Sequence, residues 1–207
     1  MEHFFTSAAI AIAALFPIVD PIGLVPVFHN LTRHLTVAER RRQALLGVIS
    51  AVAILVAFLF FGRFVLDFFG ISLAAIEFVG GLVIAVVGWE MLTQPIADEI
   101  DEDEREDEVF FAPIAFPMLA GPGALAVTLG LSNRHDNWLD YPGFVLGIIV
   151  VAAIAYVILR NADWVLERMG PKAIDVTNRI LGLIVLAIAA ELVFNGIADH
   201  FGLTVTD

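Results

Sequence analysis

The residues best placed to do chemistry lie in two matching octets. Phe16-Pro17-Ile18-Val19-Asp20-Pro21-Ile22-Gly23 and Phe116-Pro117-Met118-Leu119-Ala120-Gly121-Pro122-Gly123 stand one hundred positions apart, each inside a long apolar run. Proline has no N–H and clashes with the carbonyl four residues back. Pro17 and Pro21 therefore free the carbonyls of Ala13 and Pro17, Pro26 frees that of Ile22, and Pro117 and Pro122 release Pro113 and Met118. Asp20, standing before a proline, is pushed out of helical geometry, and Gly121 and Gly123 permit backbone shapes that other residues resist. Half-helices starting near Gly23 and Gly123 would present N–H groups and a partial positive charge, suited to a carboxylate. The freed carbonyls of Pro17 and Met118 suit an ammonium or a small cation. A small zwitterion fits both ends, so Pro17, Asp20, Pro21, Gly23, Pro117, Met118, Gly121, Pro122 and Gly123 are the candidate binding residues.

The other acids in apolar surroundings divide by depth. Asp20 offers an ammonium partner, a proton carrier or a sodium ligand, or caps its own broken helix. Glu191 has Asn195 one turn on, on the same helical face, which predicts a hydrogen-bonded pair. Asp20, Glu191 and Asn195 are the candidates for coupling to H+ or Na+. Glu90 lies near a span end, within reach of headgroups. Glu77 shares a stripe with Gly81, Ala85 and Gly88 that reads as close helix packing through small residues. His3, His29, His34, His135 and His200 all lie at or beyond span ends. Neither a Ser–His pair nor a His–metal cluster is therefore available at depth, and an enzyme or a resident cofactor is not expected.

These residues need elements to hold them, and composition says which. Of 207 residues 59% are hydrophobic and 16% charged, with a mean hydropathy of +0.89, against about 25% charged in a soluble domain. No core of this size could hide so much apolar surface. The absence of cysteine removes disulfides, thiolate metal sites and Cys nucleophiles. A formal charge of -12 with 11 basic residues argues against nucleic acid. A bilayer core of roughly 30 Å takes about 20 apolar residues per helix, and six such runs occur: 4–28, 44–62, 71–92, 109–131, 141–159 and 180–198. They are apolar all round rather than alternating, so they read as helices and not barrel strands. The first lacks the basic leader of a secretory signal and is expected to be retained.

The offset that aligns the octets also superposes Leu46-Gly47 on Leu146-Gly147 and Val65-Leu66-Asp67 on Val165-Leu166-Glu167; one residue more brings Gly81-Leu82 onto Gly182-Leu183 and Glu90 onto Glu191. The expected fold is thus an all-α membrane protein of six transmembrane helices, with a three-helix repeat at 1–94, an acidic linker at 95–108 and a second repeat at 109–207. Three spans per half invert the second repeat relative to the first. Helices one and four are broken at their Pro/Gly motifs. Paired breaks in an inverted repeat are the arrangement in which many secondary transporters bind solute at the midplane; a passive channel lined by the same half-helices is the alternative. The lipid bilayer and a small solute are the expected partners, with a second copy of the chain allowed.

FPIVDPIG at 16–23, FGISLAAIEFVGGLVIAVVGWEML at 69–92 and APIAFPMLAGPG at 112–123 make the chain resemble the MarC family of integral membrane proteins (UPF0056), within a wider LysE-like group of six-span exporters. The resemblance implies a plasma-membrane protein, with transport of small neutral amino acids proposed for some members. It also implies an amide where Asp20 stands and Gln where Glu191 stands, so this chain carries carboxyls at two positions where relatives carry neutral groups.

Nine of the basic residues flank the sides expected to be cytoplasmic, and two, Arg63 and Arg134, the other, which places both termini outside. With no native cysteine to interfere, a cysteine introduced at Thr206 should react with an impermeant maleimide on intact cells, and one at Glu104 only after lysis.

Overall fold

The computed structural model describes residues 2–93, 119–134 and 138–203. These residues form helices and contain no strand. The linker at 95–108 and the first half of the run at 109–131, including Pro117 and Met118, lie outside the described residues.

Helix α1 (Glu2–Val19) carries Pro17 in its last turn, losing the bond to Ala13 O, and ends at Asp20-Pro21. Helix α2 (Leu24–Thr32) follows at an angle of 57°. Helix α3 (Val37–Phe69) starts at a reciprocal capping box: Glu39 N–H donates to Thr36 Oγ1, and Thr36 N–H to Glu39 Oε2 at 2.8 Å. It stops at Gly70, whose left-handed backbone lets Ile71 N–H return to Leu66 O. Helix α4 (Leu73–Thr93) comes next, then α5 (Pro122–Arg134), and α6 (Tyr141–Arg160), which is led in by a short 3-10 turn at Trp138–Asp140. Helix α7 (Ala162–Phe201) is one element with a kink, since Gly170 sits at φ 73 and ψ 161 and Pro171 follows it.

Four segments, Val37–Phe69, Leu73–Thr93, Trp138–Arg160 and Ala162–Phe201, are long and apolar enough to cross a membrane, and the bent pair α1 and α2 makes a fifth span if taken as one. Their outward faces carry Phe60, Phe64, Phe68, Trp89, Val157 and Phe194. An outside this greasy is what lipid solvation requires. Helices α3 and α7 extend well past the runs predicted at 44–62 and 180–198. Hydropathy marks only the part of a helix that lipid must cover, whereas the polar turns at Arg40-Arg41-Arg42 and around Arg168 are held by capping and by packing outside the apolar band.

Helices α4 and α7 pack antiparallel along their lengths, with glycines at the seam. A Cβ on Gly81 would stand 2.8 Å from Ala189 O, and one on Gly182 3.1 Å from Gly88 O and 2.9 Å from Met91 Cβ. The stripe through Gly81 and Gly88 is thus a packing surface, as its small residues predict. Helix α1 lies on α6 at Gly143 and Gly147, and α3 meets both α5 and α6. Leu15, Leu59, Ile84, Phe144, Ile148 and Val185 fill the centre. At the end where α2 stops, Asp163 of α7 takes Arg40 Nη1 on both carboxylate oxygens, at 2.8 and 2.9 Å, and lies 2.8 Å from His29 Nδ1, fixing α2 between α3 and α7.

Replacing Gly182 with leucine pushes a branched side chain into a seam that has no space for one methyl, and is expected to lower stability by about 1–3 kcal/mol. Val157→Ala, on the outward face of α6, should shift it by no more than about 0.5 kcal/mol. Thermal unfolding in detergent distinguishes the two.

Candidate functional site in the broken helix

The bend between α1 and α2 is built by Asp20. Its φ is +39, a left-handed conformation uncommon outside glycine, asparagine and aspartate. Asp20 N–H still reaches Phe16 O at 3.1 Å, so α1 runs to its natural end. The turn is then closed by the acid twice over: Gly23 N–H donates to Asp20 Oδ1 at 3.1 Å, and Leu24 N–H to Asp20 O at 3.1 Å. Pro21, between them, has no N–H to satisfy. The capping role open to Asp20 in the sequence is therefore the role its Oδ1 plays. The Gly23 N–H expected to be bare is bonded, and the second oxygen, Oδ2, is left for other work.

Gly23 is in the right-handed helical region at φ -64, so its lack of a side chain serves space and not conformation. A Cβ there would collide with Asp20 Oδ2 and stand 2.7 Å from Asn178 Oδ1 of α7. Two oxygens thus converge over one stretch of backbone, deep in the bundle: Asp20 is 9% exposed and Asn178 7%. No hydrogen bond falls to the Asn178 amide among the described residues. Acceptors so gathered suit a proton, a small cation or an ammonium group.

The second motif packs near the end of α1. Gly121, Pro122, Gly123 and Ala124 line a cavity of about 270 Å³ together with Ile18, Val83, Ile84 and Val87. A Cβ on Gly123 would lie 3.4 Å from Ile18 Cγ2, two residues before Asp20. Helix α5 starts at Pro122, and its first backbone bond runs from Leu125 N–H to Gly121 O at 3.0 Å. The N–H groups of Gly123 and Ala124 stand ahead of that bond, where a helix start has no partners of its own to give.

Of the predicted residues the structure gathers Asp20, Pro21 and Gly23 at one turn beside Asn178, sets Gly121, Pro122 and Gly123 at a cavity that touches α1 through Ile18, and keeps Pro17 in the last turn of α1. Pro117 and Met118 lie outside the described residues. Asn195 does donate to Glu191 Oε1, at 3.4 Å, but the pair is on the outward face of α7, away from the break. Glu90 is exposed on α4.

Sequence reasoning missed Asn178 and undervalued Glu77. Glu77 is fully buried, with Oε1 3.7 Å from where a Cβ on Gly130 of α5 would be. The signal was present: the shift that lays Gly81 on Gly182 and Glu90 on Glu191 also lays Glu77 on Asn178. Asn178 thus lies against the turn at Gly23, and Glu77 against α5. Among the described residues no three His, Asp or Glu side chains gather as a metal site would require.

A family model described as MarC family integral membrane protein matches residues 3–201. A UPF0056 membrane protein of Methanocaldococcus jannaschii is 36% identical over 193 residues, covering 91% of this chain and 94% of its own. One from Pyrococcus abyssi is 32% identical, with 98% and 100% covered, and the UPF0056 inner membrane protein MarC of Citrobacter koseri is 28% identical, with 96% and 97% covered. No solved structure matches.

Because the space over Gly23 is taken by the two oxygens, Gly23→Ala should cost about 1–3 kcal/mol through crowding alone, its backbone being one alanine readily adopts. Asn178→Ala should recover part of that loss when the two are combined. A double-mutant cycle on thermal unfolding measures the coupling, and strict additivity would place Asn178 away from the turn.

Proposed function

The chain belongs to the MarC family of integral membrane proteins, and from that premise we propose that it is a secondary transporter of the plasma membrane for small zwitterions, the class of the neutral amino acids. The observation that carries this reading is the meeting of Asp20 Oδ2 and Asn178 Oδ1 over the Gly23 backbone, inside a span that is broken there. Irregular backbone at membrane depth is tolerated where it is buried or lines a cavity. In this reading the two oxygens receive the ammonium of the solute, and Gly123 N–H and Ala124 N–H at the start of α5 receive its carboxylate. Ile18 lies between them and sets the length of solute that fits. Asp20, charged or protonated, couples the step to H+ or Na+. Glu77 is a second buried acid within the same bundle. No catalytic step and no cofactor belong to this reading.

Alternating access needs two halves that exchange roles, and the packing supports such a pair. The seam contact of Gly81 with Ala189 becomes that of Gly182 with Gly88 when 101 is added to the first number and subtracted from the second. The same exchange turns the pairing of α3 with α5 into that of α6 with α2, and α4 with α5 into α7 with α2. We therefore retain six spans in two inverted repeats, with α5 as the second half of the fourth span and both termini outside.

A channel with the same lining is the second reading, since half-helix dipoles also select ions in pores. Counterflow in proteoliposomes separates the two: neutral amino acid inside the vesicle should accelerate uptake of labelled solute through a carrier and leave a pore unaffected. Asp20→Asn retains an acceptor for Gly23 N–H and tolerates the left-handed turn, so the protein should insert and fold as before while the pH or sodium dependence of flux flattens. Gly123→Val, which fills the cavity against Ile84 and Ile18, should reduce flux at least tenfold. Wild-type counterflow in both variants would remove the site from transport.

A further inference from the structure

Most of the outward surface of the bundle is what lipid accepts: Phe60, Phe64 and Phe68 along α3, and Val157 on α6. One face of α7 is not. Glu191 is exposed there and Asn195 partly so, joined to each other at 3.4 Å. Their depth is fixed by the packing behind them, because Ala189 O and Val193 N of the same turn lie against Gly81. Gly81 is the ninth residue of α4, which puts Glu191 about 12 Å in from the helix end at about 1.5 Å per residue. That is within the hydrocarbon and far from headgroups. The case differs from Glu90, which lies three residues from the end of α4. An ionisable side chain at this depth is rarely left to lipid; it faces protein or a watery cavity.

We propose that this face of α7, from Leu183 through Ala187, Ala190 and Glu191 to Phe194 and Asn195, is where two copies of the chain pair in the membrane. The occupant is a second copy because the face is complementary to itself. The internal bond uses one Asn195 N–H and one Glu191 oxygen, leaving a donor and an acceptor over. Two copies inserted the same way relate by a twofold axis along the membrane normal, which keeps depths equal and sets the two Glu191–Asn195 pairs side by side, so that Asn195 of one chain reaches Glu191 of the other diagonally across one turn. The spare Asn195 N–H of each chain meets the spare Glu191 oxygen of the other, so both are answered at once. Ala187 and Ala190, both exposed, keep the helix surface low beside the polar pair, so that the main chains approach closely. Amide and carboxyl groups across such an interface hold membrane helices together. This pairing stands independently of the solute and the direction of transport.

The test uses the full chain, which has no cysteine of its own. Single-cysteine variants Ala187→Cys and Phe194→Cys, with Phe64→Cys and Val157→Cys as controls on other exposed faces, are reconstituted at low protein-to-lipid ratio and oxidised. Dimers are expected from the two α7 positions and not from the controls. Adding Glu191→Leu with Asn195→Leu, a change lipid tolerates, should lower cross-linking at least fivefold, whereas Glu191→Gln, which keeps donor and acceptor, should preserve it. Monomers throughout, equal cross-linking at all four positions, or cross-linking unaffected by the leucine pair would each overturn the proposal.

Discussion

The constraint from which the rest follows is that main chain in hydrocarbon must answer its own hydrogen bonds. A straight helix does so automatically, and this chain departs from one at Asp20-Pro21. The departure is made tolerable by one interaction, the carboxylate of Asp20 on the N–H of Gly23, with the Asp20 carbonyl taking Leu24. Everything nearby is arranged around it. Residue 23 lacks a side chain because the carboxylate occupies that space, and Asn178 of α7 leans into the same point. For α7 to reach it, α7 must lie tight against its neighbours, which the glycine seam with α4 secures. A methyl at Gly182 would press on Met91 and the Gly88 carbonyl alike.

The sequence was most legible where composition and proline speak directly. Apolar runs of the right length placed the long helices, and Pro21 and Pro122 placed the starts of α2 and α5 to within about two residues. The pairing of Glu191 with Asn195 followed from four-residue spacing. What spacing could not supply was direction. An i, i+4 pair points to one face without saying whether bundle or lipid lies there, so Glu191 and Glu77, both acids in apolar runs, ended on opposite sides: one outward, the other fully buried. Asn178 escaped notice because an asparagine just before a basic residue, Arg179, reads as the polar end of a span. Only the packing of α7 against the turn at Gly23 shows that it points inward.

The helix ends show a different limit. Hydropathy measures what lipid must cover, and α3 and α7 continue into the aqueous layers on the strength of other forces. Thr36 and Glu39 cap one end, and Asp163 gathers Arg40 and His29 at the same level. Exposed ion pairs contribute little to stability, about 0–1 kcal/mol. Their value here is positional, because the three partners come from α2, α3 and α7 and so fix the outer turn of the half-helix whose inner turn is Gly23.

In the proposed repeat the turn at Asp20 and the start of α5 correspond, but they are not chemically equal. The first carries Asp20; the matching position of the second is Ala120, buried and without a polar group. The acid spends one oxygen on its own half-helix and so covers the positive pole of α2, while its other oxygen adds negative character beside Asn178. Among the described residues no side chain caps helix α5, and its pole at Gly123 and Ala124 is positive toward the cavity. In the proposed reading the acid at position 20, with alanine at position 120, gives the region a negative and a positive end, with Ile18 between. A solute that is neutral overall but dipolar would be oriented by that difference; a simple cation would be drawn to one end and repelled at the other. The proposed preference for zwitterions therefore rests on the inequality of the halves, and their likeness serves only to bring the two ends together.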